Sequence, residues 1–435
     1  MPLEMSGSKP SSHFSNPVSF KGEFLKQIDL SKFTRLVEFN IFWVVPLPSF
    51  LELVPMKNWL FLFLFALILQ GCSDGVDKTE DNFAQYQLKI LDSIQVAYQG
   101  NLFLFDHDPK SNQYLGMDNG TEEVLLFDRE GEIKSQFKLA KDGPNATTWA
   151  NSIGFFDGQF TVMDAAMGLL FFSSQGEIME RIDLSPPYMF INGLRMPVHA
   201  FGNELTYVRP ERGEIDWNNQ AEMFENIYRS PILEVYDPST GTIRNTMLFP
   251  PGTIYEDGNY YHWMFPTVIS AGKEWLVYFR AEQTYHVYQQ EGEQLVYHQT
   301  VDLEIENAVK IKGVPLANME DYYEKSIDNI FGRIQNLYVL DSLIVIHYTK
   351  GLEEEKVKQF PRNILEERTA FLHQIKNYLA VLNREHQMLQ KDILVPQGII
   401  LSGVAVENGA ILGLKDQDFF GVEEDMVTFY MMELN

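Results

Sequence analysis

The densest run of side chains able to contact a ligand is 249–266, FPPGTIYEDGNYYHWMFP. Here Tyr255, Tyr260, Tyr261, His262 and Trp263 stand beside Glu256 and Asp257. Rigid aromatic rings beside carboxylates suit stacking on sugar rings or anchoring a protein partner, because they offer large contact area with a polar edge. Packing of the loop onto its own scaffold is the plainer use of the same rings. A second segment, 208–231, carries Arg209, Arg212, Asp216, Trp217, Tyr228 and Arg229. Three arginines could hold an anionic group through bidentate hydrogen bonds. Glu211, Glu214, Glu222 and Glu225 lie among them, so surface ion pairing is the simpler expectation. A third segment, 304–331, holds Asp321, Tyr322, Tyr323 and Glu324 and reads as a short helix. The candidate binding residues are therefore Trp217, Arg229, Tyr255, Tyr260, Tyr261, His262, Trp263, Tyr322 and Tyr323.

Signals for catalysis are sparse. The nine histidines show no HExxH pair and no cysteine partners. No nucleophile elbow, phosphate loop or dinucleotide fingerprint sits between a strand and a helix. Asp106-His107-Asp108 has the look of a calcium-loop fragment but lacks the glycine and distal glutamate, and it reads instead as the start of a turn at Pro109. His199 and His347 read as packing residues of strands. No catalytic residue, metal site or cofactor is assigned, and enzymatic activity is not expected. The alternative is a hydrolase or lyase whose acidic, histidine or metal-binding groups converge at an axis from separate strands, with no local motif to reveal them.

The chain has 435 residues, 60 acidic and 34 basic side chains, a formal charge of −26 and a single cysteine. The charge argues against nucleic acid, whose phosphates need a basic surface. One cysteine excludes a disulfide framework and any multi-cysteine metal site. That cysteine closes the stretch 56–72, MKNWLFLFLFALILQGC, in which Lys57 precedes 11 uncharged residues from Trp59 to Leu69. This run is too short to span a bilayer, which needs about 20 residues, and suits the apolar region of a signal peptide. Leu69-Gln70-Gly71-Cys72 resembles the bacterial lipobox, which implies lipidation at Cys72 by acyl chains such as palmitate and a membrane contact made by lipid. The acidic stretch 72–84 then reads as a tether. Residues 1–55 show no coherent period. They read as an upstream extension ahead of a true start at Met56. Cleavage before Cys72 leaves 364 residues with a charge of −27.

Elements of one kind recur along the remainder. An apolar strand, a tight turn and a second strand appear at 124–139, 169–184, 233–248, 285–303 and 378–394, with Gly131, Gly176, Gly241 and Gly292 at four of the turns. A second hairpin type is centred on 109–112, 157–158, 202–203, 272–273, 341–342 and 408–409. That makes six hairpins of one type and five of the other. The sixth partner is supplied by the two orphan strands, 87–96 at the start and 426–435 at the end. The pattern predicts an all-β fold over 85–435: a six-bladed β-propeller closed by its N-terminal strand, which removes two exposed sheet edges. The long connections 208–231, 249–266, 304–331 and 350–374 then all fall on one face, the opposite face keeping only tight turns. Long loops on a rigid scaffold are where binding usually resides.

The lipobox, the acidic tether and blades of the form FLFDHDPKSNQYLGMD and EEVLLFDREGEIKSQFKL together resemble the TolB-like six-bladed propeller lipoproteins of Bacteroidetes, in particular domain-of-unknown-function family 4221. The resemblance covers about 85–435. It implies an exported lipoprotein of the outer membrane, facing the periplasm or the surface, and supplies no catalytic residues. The expected function is a lipid-anchored binding or scaffolding module of the cell envelope, taking a glycan or an envelope protein on its long-loop face. A purely structural envelope role is the remaining alternative.

Overall fold

The computed structural model describes residues 85–435 apart from 119, 149, 165–166, 185–187, 190–197, 213–218, 327, 360–372 and 407. Cys72, the 56–71 segment, the tether, the 1–55 extension and Trp217 lie outside the described residues.

Six four-stranded antiparallel sheets form the blades of a propeller. Blade 1 comprises Leu102–Asp108, Gln113–Asp118, Glu123–Phe127 and Ile133–Lys138, and blade 2 Ala150–Phe156, Gln159–Asp164, Gly168–Phe172 and Ile178–Ile182. Blade 3 comprises His199–Phe201, Glu204–Val208, Leu233–Asp237 and Thr242–Thr246, and blade 4 Thr267–Ala271, Glu274–Tyr278, Thr284–Glu291 and Gln294–Asp302. Blade 5 comprises Ile330–Val339, Leu343–Leu352, Asn377–Asn383 and Met388–Leu394. Blade 6 takes three strands from the end of the chain, Ile399–Ala405, Ile411–Lys415 and Val427–Leu434. Its fourth, Leu88–Val96, comes from the start. Both hairpin series occur where the sequence places them.

The seam between the two ends of the chain runs antiparallel from Leu88 opposite Leu434 to Val96 opposite Val427, with one β-bulge between Ile90 and Asp92. It is extended by a reciprocal pair of backbone bonds between Gln87 and Asn435 at 2.9 and 3.0 Å. Closing the ring this way satisfies the edge of blade 6 that would otherwise be open. Gly131 completes the seam from the neighbouring blade. It holds φ +79° in the last turn of blade 1, and a Cβ there would lie 1.9 Å from the carbonyl oxygen of Gln95. Glycine is needed for both the backbone angle and the approach.

Each boundary between blades holds an apolar cluster, six in all around the ring among the described residues. Middle strands therefore read as continuous apolar runs, such as the wholly buried Gly168–Phe172, because both sheet faces meet a neighbouring blade. Outer strands alternate, as in Ile133–Lys138, because one face meets solvent.

The four long connections extend the scaffold on one face, since alternating strand directions put every second-to-third and blade-to-blade link at the same end. Within 208–231, helix α1 (Gln220–Ile227) buries Phe224 and Ile227. Segment 304–331 contains a 3-10 turn, Leu316–Asp321, followed by helix α2 (Tyr322–Ser326). Helix α3 (Glu354–Val357) lies in the last of the four. A further helix on this face, α4 (Gln417–Phe420), was not anticipated. Its signals are nevertheless local: the Asp416 carboxylate accepts from the Phe419 amide, and Gly421 ends the turn with a left-handed φ of 62°. Tyr188–Met189 and Glu211–Arg212 add a two-stranded pair joining the link between blades 2 and 3 to the link within blade 3.

Candidate functional site

The long connections do not hang separately from the scaffold. They knit into one cap over blades 3 and 4. Asn259–Tyr260 pairs antiparallel with Val314–Pro315, and the Leu316 amide donates to the Gly258 carbonyl at 3.2 Å. Tyr228, just past α1, donates from its hydroxyl to the His262 carbonyl at 2.6 Å and accepts from the Tyr261 amide at 3.2 Å. The cap is continuous with the apolar core between blades 3 and 4, so its rings and the blades share one interior.

This continuity decides what each candidate residue does. Tyr255, Tyr260, Tyr261 and Tyr322 are buried, with 3–8% of their surface exposed. Their rings pack on one another and on α1: Phe224 sits 4.7 Å from Tyr260, Tyr228 4.7 Å from Tyr255, and Tyr260 5.2 Å from Tyr322, centroid to centroid. Burial pushes the Tyr322 phenol up to about 12. Burial, with the Asp257 carboxylate to which it donates at 2.6 Å, does the same to Tyr261. These four tyrosines form the floor of the cap. What the structure leaves accessible is a rim. Tyr323 is 60% exposed, and its hydroxyl lies 2.9 Å from Nε2 of His262. Trp263 is half-buried, its ring 4.7 Å from Phe224. His262 is also half-buried and holds a left-handed φ of 66°. Burial, with the nearby Arg280 charge, lowers its pKa to about 4, so the ring is neutral at pH 7.

The arginines divide in two. Arg229 is exposed and paired with Glu225 at 2.9 Å, and Arg209 is paired with Glu211 at 3.0 Å, so both act within the surface charge network. Arg280 and Arg333 lie elsewhere and were not singled out from the sequence. Arg280 follows the second strand of blade 4, on the cap side, with its guanidinium 5.7 Å from the Phe265 ring. Arg333 is in the innermost strand of blade 5, 5.8 Å from the Phe331 ring. No contiguous motif joins them. They are brought near one another only because the ring sets blade 5 beside blade 4, where the Gln283 side chain donates to the Gly332 carbonyl at 3.1 Å.

The other chemically suggestive residues are used structurally. His347 is buried, with its ring nitrogens 3.0 Å from Asn336 and 2.9 Å from Asn377. The His199 ring packs edge-on against Trp275 at 5.4 Å, and burial lowers its pKa to about 4. Asp106 accepts from the Phe155 amide at 2.7 Å, and Asp108 accepts from Ser111 in the turn that follows. Among the described residues, no group of three or more His, Cys, Asp or Glu could hold a metal ion. No described helix is long and apolar enough to cross a membrane.

Comparison with known proteins bears on the architecture. No protein-family model matches the sequence, and no curated protein is detectably similar to it. Among solved structures, the chain is similar to a member of the DUF4221 family from Bacteroides vulgatus, with a TM-score of 0.56 at 14% identity over 81% of this chain and 99% of that one. A Bacteroides fragilis protein described as exported gives a TM-score of 0.49 at 11% identity, over 80% of this chain and 95% of that one. The DUF4221 likeness extends across the whole of that neighbour, so the two chains share the complete six-bladed ring, in agreement with the resemblance carried by the blade sequences.

Proposed function

We propose that this protein is an exported, lipid-anchored binding module that holds a glycan on the capped face of its propeller. The observation that carries the reading is the cap itself. Loops from blades 3, 4 and 5 are fused into one packed body whose buried tyrosines hold Tyr323, Trp263 and His262 as a fixed rim. A rigid rim of aromatic and hydrogen-bonding groups loses little entropy on binding, which favours recognition of flat, hydroxyl-rich sugar rings. The propeller supplies a stiff support of the kind binding and scaffolding modules use. The Lys57–Cys72 segment supports export and lipid attachment, and the acidic domain supports a membrane contact left to acyl chains, since its surface repels anionic headgroups.

Screening glycans against the full-length protein in detergent tests the reading. Loss of both rim aromatics in the Trp263→Ala, Tyr323→Ala variant is expected to cost on the order of 2 kcal/mol in affinity for whichever glycan is retained. Unchanged affinity in that variant overturns the rim assignment. Capture of an envelope protein through the same rim, with no glycan bound, replaces the glycan by a protein partner.

A further inference from the structure

In a chain with 60 acidic side chains, a guanidinium usually finds a carboxylate. Arg129, Arg209, Arg229, Arg244 and Arg384 all do, with Asp92, Glu211, Glu225, Glu204 and Glu274 respectively. Arg181, on the exposed outer strand of blade 2, does not, and neither do Arg280 and Arg333. Among the described residues neither has an ion-pair partner, and the neighbours recorded for them are aromatic rings and each other. The carboxylate nearest Arg280 along the chain, Glu282, is committed elsewhere. It accepts from the Ile254 amide at 2.9 Å and sits 3.2 Å from Nε2 of the buried His286. The two cations stand on adjacent blades, bridged by the Gln283–Gly332 bond at 3.1 Å, on the same side of the ring as the aromatic rim and with no carboxylate paired to either among the described residues.

Their surroundings point the same way. Arg280 is exposed to solvent and packs its guanidinium 5.7 Å from the Phe265 ring, and the protein around it lowers its pKa. Burial, with the Arg280 charge adding to it, brings Arg333 down to about 10, so both remain cationic at pH 7. Phe265 links the recess to the rim: its ring lies 5.7 Å from Arg280 and 6.0 Å from that of His262. Like charges held together with no counter-ion are costly in the free protein, and an anion placed between them removes that cost while taking charge-assisted hydrogen bonds from two planar forks.

We propose that Arg280 and Arg333 form an oxyanion subsite beside the aromatic rim, which takes the carboxylate, sulfate or phosphate group of an acidic saccharide. The saccharide part of this assignment rests on the glycan reading above; the oxyanion part stands on the two unpaired guanidinium groups. The net charge of −26 makes the subsite selective, because the rest of the surface repels anions and only a group able to reach both arginines is retained.

Calorimetry on the full-length protein in detergent separates the two parts, with D-glucuronate, glucose 6-sulfate and glucose 6-phosphate compared against D-glucose and against sodium sulfate and sodium phosphate alone. The expected result is binding of at least one charged sugar with glucose at least tenfold weaker, and a loss of at least tenfold in Arg280→Gln and in Arg333→Gln. Arg181→Gln, on the exposed outer strand of blade 2, is expected to leave that affinity unchanged. The three charged sugars distinguish which oxyanion is preferred. Because each substitution removes a repulsion, both variants are expected to unfold at a temperature no lower than wild type; a lower temperature would mark the arginines as structural and overturn the subsite. Charged and neutral sugars bound equally, with the Arg280→Gln, Arg333→Gln double variant unaffected, would also overturn it while leaving the glycan reading intact. Inorganic sulfate or phosphate bound through both arginines, with no sugar bound, would keep the oxyanion subsite and remove the glycan.

Discussion

The hydroxyl of Tyr228 donates to the backbone carbonyl of His262 at 2.6 Å, a bond between residues 34 apart that fastens the end of helix α1 to the aromatic loop. The same oxygen accepts from the Tyr261 amide, so one phenol satisfies two backbone groups just past the short strand Asn259–Tyr260. Tyr228 is itself 1% exposed. Its Tyr228→Phe variant removes the donor to the His262 carbonyl and the acceptor of the buried Tyr261 amide and is expected to cost roughly 1–3 kcal/mol in stability by urea denaturation. Because His262 loses the bond that helps hold its left-handed backbone, glycan affinity should fall as well. A variant as stable as wild type would show that water replaces the phenol at no cost.

Ring closure gives a second expectation. Ile94, in the seam strand, is 1% exposed and lies in the core between blades 6 and 1. Replacement by alanine removes buried apolar surface and leaves a cavity, at a cost of about 2–5 kcal/mol. Gly131→Ala attacks the same seam from the other side, through a strained φ and a clash with the Gln95 carbonyl. Both variants are expected to lower the temperature of a single cooperative transition in calorimetry. Melting of blade 6 alone, with the other blades intact, would contradict the view that the seam supports the whole ring.

The two histidines with lowered pKa make stability depend on pH. His199 and His262 have folded values of about 4, against 6.5 for the unperturbed side chain. Below pH 6.5 the unfolded chain takes up protons that the folded state refuses, so their contribution is complete above that value and is lost as pH falls toward 4. Denaturation midpoints are expected to drop across this window. His262→Gln should flatten the part of the drop due to that ring, and an unchanged pH profile in that variant would remove His262 as a contributor.

Lipid attachment predicts a change of compartment. In the native host, Cys72→Ser is expected to lose acyl labelling and move the protein from the membrane pellet to the soluble fraction, while its circular dichroism remains that of a β-protein. Membrane association that survives the substitution would place the anchor elsewhere.

The architecture was legible in the amino-acid order because its signals are local and periodic. Hairpin turns, apolar runs two strands deep and the unpaired strands at both ends each follow from neighbouring residues, and together they determine six blades, the seam and the side on which the long loops emerge. Helix α4 escaped notice although Asp416 and Gly421 marked its ends, because four residues are too few to show a period. The site was far less legible. Tyr260 and Tyr323 look alike in a sequence, yet one is 3% and the other 60% exposed, a difference set by which ring α1 covers. Arg229 and Arg280 also look alike. One finds Glu225 a helical turn away, whereas the other reaches only rings and a second arginine 53 positions along the chain. Burial and charge pairing are properties of neighbours in space. Sequence alone determined the scaffold and the face, and only the folding of distant loops onto one another decided which residues on that face a ligand can meet.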